Sequence, residues 1–514
     1  MSPDGHVRLT VDGRDVTVPD DGASLLEVLR DRLDVRGPKD GCSPQGQCGC
    51  CTVLVDGAPR VACVTPVRRV DGRSITTIAG LERAPQWAEA FCATGASQCG
   101  FCTPGIIVRL DALRAGGAGA DDVDKLERAL LAHLCRCTGW RTIEDAWRTL
   151  DEVPRAPRDR DAAQRRAALE GGTAQSVAPE VALGLGGFAD DTAPANALVA
   201  VPDGAGGWAV AETLTEARRA AAKTQGRRTT VDVAHPIAVP DGDWAVTLQT
   251  TWVEPAYLET DASWCAPGGE PVSPLANGGA FGGKVDSIVM SAARELADRH
   301  GRVVRVLLSR EDSVRMGPKR PPIAGGVRDD GTGVVRVART TGIAEIVSAY
   351  APELIVQEVD VAGPPTSTAL RAAGWAEAAV LRAGARVRDE AVVAPNGAEA
   401  WASVDGDGIH VTVRAGAPLD QVVLKSYCVG AAHMALGWVT SEGLAVAEDG
   451  EPLNLTIRSF GVLRAVDTPP INVHIEDDGS APRNGSDAVF AAVAAAVWRA
   501  QGCPSTFPTG RMLR

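Results

Sequence analysis

Val7, Leu9 and Val11 alternate with polar residues, and Val16 and Val18 resume the alternation beyond Asp12–Gly13. A period of two on either side of an Asp-Gly pair predicts a strand, a tight turn and a second strand. Ser24 stands where a helix cap belongs, ahead of Leu25, Leu26, Val28, Leu29 and Leu33, so a helix is expected over Leu25–Leu33. Thr52–Asp56 reads as a further strand, closed by a turn at Gly57. From residue 81 the period becomes helical. Thr103 and Pro104 suit a helix start, and Ile106, Ile107, Leu110 and Leu113 follow at helical spacing. Val123, Leu126, Leu130 and Leu134 do the same, and Thr142 with Asp145 predicts a last short helix.

These changes of pattern divide the chain. Residues 1–80 have strands, one helix and a cysteine-bearing loop, the layout of a small β-grasp ferredoxin. Residues 81–152 read as a helical bundle. Residues 153–180, rich in Arg, Asp, Ala and Pro without clear periodicity, read as a linker that is helical in part. Residues 181–514 mix strands, helices and glycine-rich loops and are expected to form a separate α+β region. The fold class is therefore α+β throughout.

The chain has 514 residues and a net charge of −13, with acids and bases spread along it. That balance argues against nucleic acid as the main partner. MSPDGHVRLTVDG has no basic segment leading into an apolar one, and no apolar run reads as a membrane span. A cytoplasmic protein is expected. Ten of the 13 cysteines fall before residue 138. Clustered cysteines in a reducing compartment are metal ligands more often than disulfides.

Cys42, Cys48, Cys51 and Cys63 lie in GCSPQGQCGCCTVLVDGAPRVAC. Four thiolates close a 2Fe–2S site, two residues apart being enough for a pair to hold one iron, and the glycines let N–H groups point at sulfur. The first gap is one residue longer than the plant-type C-x4-C-x2-C spacing. Cys50 is a rival ligand, but Cys48 and Cys51 keep the two-residue spacing. Cys99 and Cys102 lie in SQCGFCTPG, and Cys135 and Cys137 in LCRCTGW. One pair precedes and the other follows apolar helical stretches, so antiparallel helices would bring all four to one end. A zinc site or buried free thiols is the competing reading of the first set.

Both motifs, in this order, resemble the iron–sulfur portion of the xanthine oxidase or molybdenum hydroxylase family, which includes aldehyde oxidases and carbon monoxide dehydrogenases. The resemblance implies two 2Fe–2S clusters, the first nearer a flavin and the second nearer a molybdopterin, with Gln98 hydrogen-bonded to the pterin. Later segments resemble the family's large, molybdenum-binding portion. The stretch EPAYLETDASW looks like its Y-L-E-T stretch, NGGAFGGKVDS like its G-G-G-F-G-G-K loop, and ALRAAGWAEA like its A-F-R-G-F-G stretch. By that likeness Gly278, Gly279, Ala280, Phe281, Gly282 and Gly283 approach the cofactor, and Arg371 faces substrate to stabilise developing oxyanion charge. In VLKSYCVGAAHMALGWVTSEGL, His433 reads as a packed helix residue.

The sequence also departs from the family. Ser486 stands where its G-E-P-P glutamate would deprotonate a molybdenum-bound hydroxyl, leaving Asp487, one residue away, as the candidate base. The long segment expected between Trp264 and Asn277 is absent, and no flavin domain is visible. The resemblance implies an iron–sulfur oxidoreductase passing electrons from a molybdopterin site through two clusters to a flavin, with an aldehyde or N-heterocycle as small-molecule substrate. FAD would belong to a flavoprotein partner, and a molybdenum-binding partner chain is a further expectation. The alternative is a non-catalytic electron-transfer and scaffold subunit whose molybdenum region is vestigial.

Overall fold

In the computed structural model, residues 5–152, 158–222, 229–385 and 390–513 are described. Strands β1 (His6–Val11), β2 (Arg14–Pro19), β3 (Thr52–Val55), β4 (Ala58–Val61) and β5 (Ser74–Thr76) form one sheet in the order β2-β1-β5-β3-β4. β1 and β5 run parallel at its centre, and the other neighbours are antiparallel. That order is the β-grasp arrangement. Asp12 and Gly13 both take positive φ, 47° and 81°, which the tight β1–β2 turn requires. Val7, Leu9 and Val11 point into the core together with Leu25, Leu26, Val28 and Leu29. The helix predicted over Leu25–Leu33 is a short α-turn, α1 (Leu25–Glu27), capped by Ser24 Oγ accepting Glu27 N–H at 3.2 Å and continued as a wider π-turn over Val28–Arg32.

The helical region contains α2 (Ala84–Thr94), α3 (Thr103–Ala115), α4 (Val123–Ala129) and α5 (Arg141–Arg148). Trp87 and Trp147 stack at 6.2 Å in its core, and Trp87 Nε1 donates to Asp111 at 2.9 Å. Cys102 takes the N-cap position of α3 without a side-chain capping hydrogen bond, and Thr103 is its first residue. α5 begins at Arg141 after Trp140 at φ 68°, so Thr142 lies inside it.

The linker expected at 153–180 is not a loose connection where it is described; residues 153–157 lie outside the described residues. α6 (Arg160–Gly171) starts on Asp159, whose carboxylate accepts Ala162 N–H at 2.9 Å. Its Arg166 is fully buried, paired with Glu170 at 3.1 Å and donating to Pro418 O at 2.7 Å. Because the buried side chains of this helix are a mutually neutralising ion pair and alanines, no apolar periodicity marked it.

Beyond residue 181 three four-stranded sheets follow. One joins Leu198–Pro202, Trp208–Ala211, Ala262–Cys265 and Val304–Leu307. Another joins Val246–Gln249, Ile323–Val327, Gly333–Ala338 and Leu354–Val359, and the last runs through Val392–Val393, Glu399–Asp405, Gly408–Arg414 and Ile471–Glu476. Helix Gln421–Thr440 is long and apolar enough to cross a membrane, contrary to the sequence reading, but lies almost wholly buried against helix Ser486–Ala500.

Nor is the region after 181 separate from the cluster-bearing part. Trp252, Leu258, Leu444, Ile457 and Phe460 share one core with the ferredoxin and helical residues. Arg30 binds Asp190 and Asp191 at 2.7 and 2.8 Å, Arg305 binds Asp31 at 2.9 Å, and Lys39 pairs with Asp191. These partners are more than 150 residues apart, which is why composition alone did not show the union.

Candidate metal centres

The loop between α1 and β3 carries Cys42, Cys48, Cys50 and Cys51, and Cys63 follows β4; all five are buried. Gln45 N–H and Gln47 N–H point at Cys42 Sγ at 3.2 and 3.5 Å, and Cys63 N–H points at Cys51 Sγ at 3.4 Å. These donors stabilise thiolate charge. Hydrogen bonds from Cys48 and Cys63 push the Cys42 thiol well below its ordinary range, while holding those protons pushes Cys48 and Cys63 up. Cys50 is fully buried beside Cys48: a Cβ added at Gly41 would lie 3.0 Å from one sulfur and 3.1 Å from the other.

The second set forms where α3 begins and where the turn after α4 ends. Cys137 Sγ lies 3.6 Å from Cys99 Sγ, and Cys135 shares a proton with Cys102. The Cys102 hydrogen bond lowers the Cys135 thiol to about 6, with the Thr138 hydroxyl 3.1 Å away as a further contact. The sulfur contacts thus join Cys99 to Cys137 and Cys102 to Cys135, across the motifs rather than within C-x2-C. Among the described residues no three His, Cys, Asp or Glu side chains converge on a single-ion site. Paired thiols spread over two foci suit two irons bridged by sulfide. The donor set in both places therefore fits a 2Fe–2S cluster.

The loop expected to line a molybdenum pocket lies directly on the second set. Asn277, Gly278, Gly279, Phe281 and Gly282 all have positive φ. Asn277 Nδ2 donates to Cys99 O at 2.9 Å. A Cβ at Gly279 would sit 2.8 Å from Cys99 Cβ and 3.0 Å from its sulfur, and one at Gly282 would collide with Ala369 O at 1.8 Å. The cavity left between Gly278, Gly279, Ala280, Lys284 and the cysteines is about 10 Å³, room for about one water. Lys284 is bound to Glu259 at 2.6 Å, with burial pushing Glu259 up to about 7. Gln98 spends its amide N–H groups on Cys137 O and Ser426 Oγ, both at 2.9 Å.

Arg371 is also occupied. Its guanidinium binds Asp487 at 3.1 Å and Ser486 Oγ at 3.2 Å, and rests over the Phe281 ring at 4.9 Å. Burial pushes the Asp487 carboxyl up, against the pull of Arg371. Gln98, Gly278–Gly283, Arg371 and Asp487, expected at the cofactor, do not line an open pocket in the structure. The structure gathers them near the second cysteine set, but the backbone itself fills the space. A molybdopterin does not fit this arrangement of the chain.

Sequence reasoning missed two supports of the cysteine sets. Arg136, between two cysteines, makes a buried two-pronged pair with Glu442 at 2.5 and 2.7 Å. His133 is wedged between the two sets, with Nε2 3.2 Å from Thr52 Oγ1. Arg136 and His133 adjoin ligand positions, which is the one signal that was available; nothing marked Glu442. His433 is a packed helix residue, buried with Nε2 3.3 Å from Leu463 O.

Two buried sets of thiols on a β-grasp domain and a helical bundle define an iron–sulfur protein of the oxidoreductase type. Residues 77–148 match the family described as "2Fe-2S binding domain". The chain is 40% identical over 141 residues to a probable xanthine dehydrogenase subunit of Bacillus subtilis (strain 168), covering 26% of this chain and 79% of that one. It is 41% identical over 146 residues to the aldehyde oxidoreductase of Megalodesulfovibrio gigas, covering 27% of this chain and 16% of that one. The chain belongs to the molybdenum hydroxylase family, that of xanthine dehydrogenase and aldehyde oxidoreductase. It spans most of the Bacillus relative but only a small part of the longer enzymes. In fold, the aldehyde oxidoreductase from Desulfovibrio gigas (MOP) matches with a TM-score of 0.68 at 13% identity, over 96% of this chain and 97% of that one. The aldehyde oxidoreductase from Desulfovibrio desulfuricans matches at 0.54 and 16% identity, over 93% and 76%.

Proposed function

We propose that this chain is the two-cluster electron carrier of a molybdenum hydroxylase system. Electrons enter at the cluster held by Cys99, Cys102, Cys135 and Cys137 and pass to the one held by Cys42, Cys48, Cys51 and Cys63. A molybdenum-binding partner chain supplies them and a flavoprotein partner receives them, in the cytoplasm. Oxidation of an aldehyde or N-heterocycle releases two electrons, whereas a 2Fe–2S cluster carries one at a time; two clusters in line divide the delivery into single steps. This chain's part is to bury the sulfur, supply N–H donors to it and fix the spacing. The observation that carries the reading is the packing of the two thiol sets against one another, Leu134 N–H donating to Cys48 O at 3.0 Å.

A second reading, in which this chain holds the molybdenum cofactor itself, is favoured by the fold it shares with aldehyde oxidoreductase along nearly its whole length. Metal analysis of the anaerobically purified chain, made in cells that synthesise the cofactor, separates the two. Four irons per chain without molybdenum is the expected result; molybdenum near one per chain selects the second reading, and zinc in place of iron defeats both.

A further inference from the structure

We propose that His133 is a positioning residue that clamps the two cluster loops in register for the electron step between them. The inference rests on the two-cluster reading above. In that step one electron leaves the reduced second cluster and enters the oxidised first cluster; no covalent bond changes and no proton need move.

The route is short in the structure. Cys48 O accepts the N–H of Leu134, and Leu134 is bonded to Cys135. A ligand of the first set and a ligand of the second are thus joined by backbone and one hydrogen bond of 3.0 Å. From the other side Gly105, in the first turn of α3 after Cys102, packs so closely that a Cβ there would lie 2.3 Å from Gly49 O and 2.9 Å from Cys50 O.

His133 is what holds this junction together. It directly precedes Leu134 and is 3% exposed. Its ring fills the space that a side chain at Gly49 would need: a Cβ at Gly49 would lie 2.4 Å from His133 Cδ2, and Gly49 has φ +75°. Thr52, next to the ligand Cys51, donates its hydroxyl proton to Gly49 O at 2.7 Å. Its oxygen is then left to accept from His133 Nε2–H at 3.2 Å. Ring and hydroxyl together tie the Cys48–Cys51 loop to the segment that opens onto Cys135.

The test uses the full chain with both clusters loaded and reduced. His133→Phe keeps a ring but loses the N–H, and Thr52→Val keeps volume but loses the acceptor. Both are expected to retain two EPR signals at full intensity. The magnetic interaction between the reduced clusters should weaken, and transfer between them after rapid reduction should slow by about 10-fold, the scale of losing an outer support at a metal site. His133→Gln, which can again offer an N–H, should recover much of the rate. Should His133→Phe fail to fold, Thr52→Val alone decides. Unchanged interaction and rate with both clusters intact would overturn the clamp. Absence of iron from the unaltered chain would instead overturn the two-cluster reading.

Discussion

The regions before and after residue 153 carry the marks of the same family in opposite ways. In the first, side chains remote in sequence converge on sulfur: Cys42 with Cys63, Cys99 with Cys137, and N–H donors around them. In the second, the segments that resemble a cofactor site also converge, but on each other. Gly279 rests on Cys99, Lys284 on Glu259, and Arg371 on Asp487. One region gathers thiols that suit metal; in the other the loop side chains are largely paired with one another, although Glu259 Oε1 stays buried without a hydrogen-bond partner. A shared fold therefore preserves a scaffold without preserving a pocket, and function has to be argued from the site.

The largest effect expected is on the metal-demanding side. Cys102→Ser or Cys135→Ser should remove one of two EPR signals and about half the iron, leaving the signal of the first set. Loss of both signals, or of neither, would break the division into two sets. Next comes Glu442→Ala, which strands Arg136 as a buried charge between two ligands. Breaking such a pair costs about 3–5 kcal/mol, so thermal unfolding should move down sharply and the second signal should be lost first. If stability were unchanged, the later region would not be supporting the second cluster at all.

Gly279→Ala probes the closed loop itself. A side chain there meets Cys99 and a φ of +81°, a conformation costing about 1–2 kcal/mol for an L-residue. The spectrum of the second cluster should shift while the first stays the same. An unaltered spectrum would mean that the loop stands away from the sulfur. The smallest effect is expected for Asp487→Asn, because the carboxylate keeps 30% of its side-chain exposure. An amide in its place can still accept from Arg371, so a small loss of stability and no change in either cluster signal are expected; a lost signal would place Asp487 in the electron path.

Legibility followed the same divide. Alternation at Val7, Leu9 and Val11 and the spacing from Ile106 to Leu113 were readable because each element buries one apolar face. The cysteine sets were readable because thiols in tight groups have few other uses. The pairing of sulfurs across motifs was not, since it depends on how the loops fold back. The helical part of the linker was expected, but not that α6 is buried, because its buried residues include Arg166 and Glu170, polar in sequence and neutralised only in contact. The closure over the second set was hidden for a related reason. The glycines of Gly278–Gly283 permit close approach to a ligand and close approach to protein equally well, and only the fold says which occurs.

The most direct test is EPR during stepwise reduction of the anaerobically purified full chain. Two distinct rhombic signals are expected, together integrating to about two spins per chain, one from each 2Fe–2S cluster. A single signal, or a colourless sample that develops none after cluster loading, would contradict the assignment of two clusters to this chain.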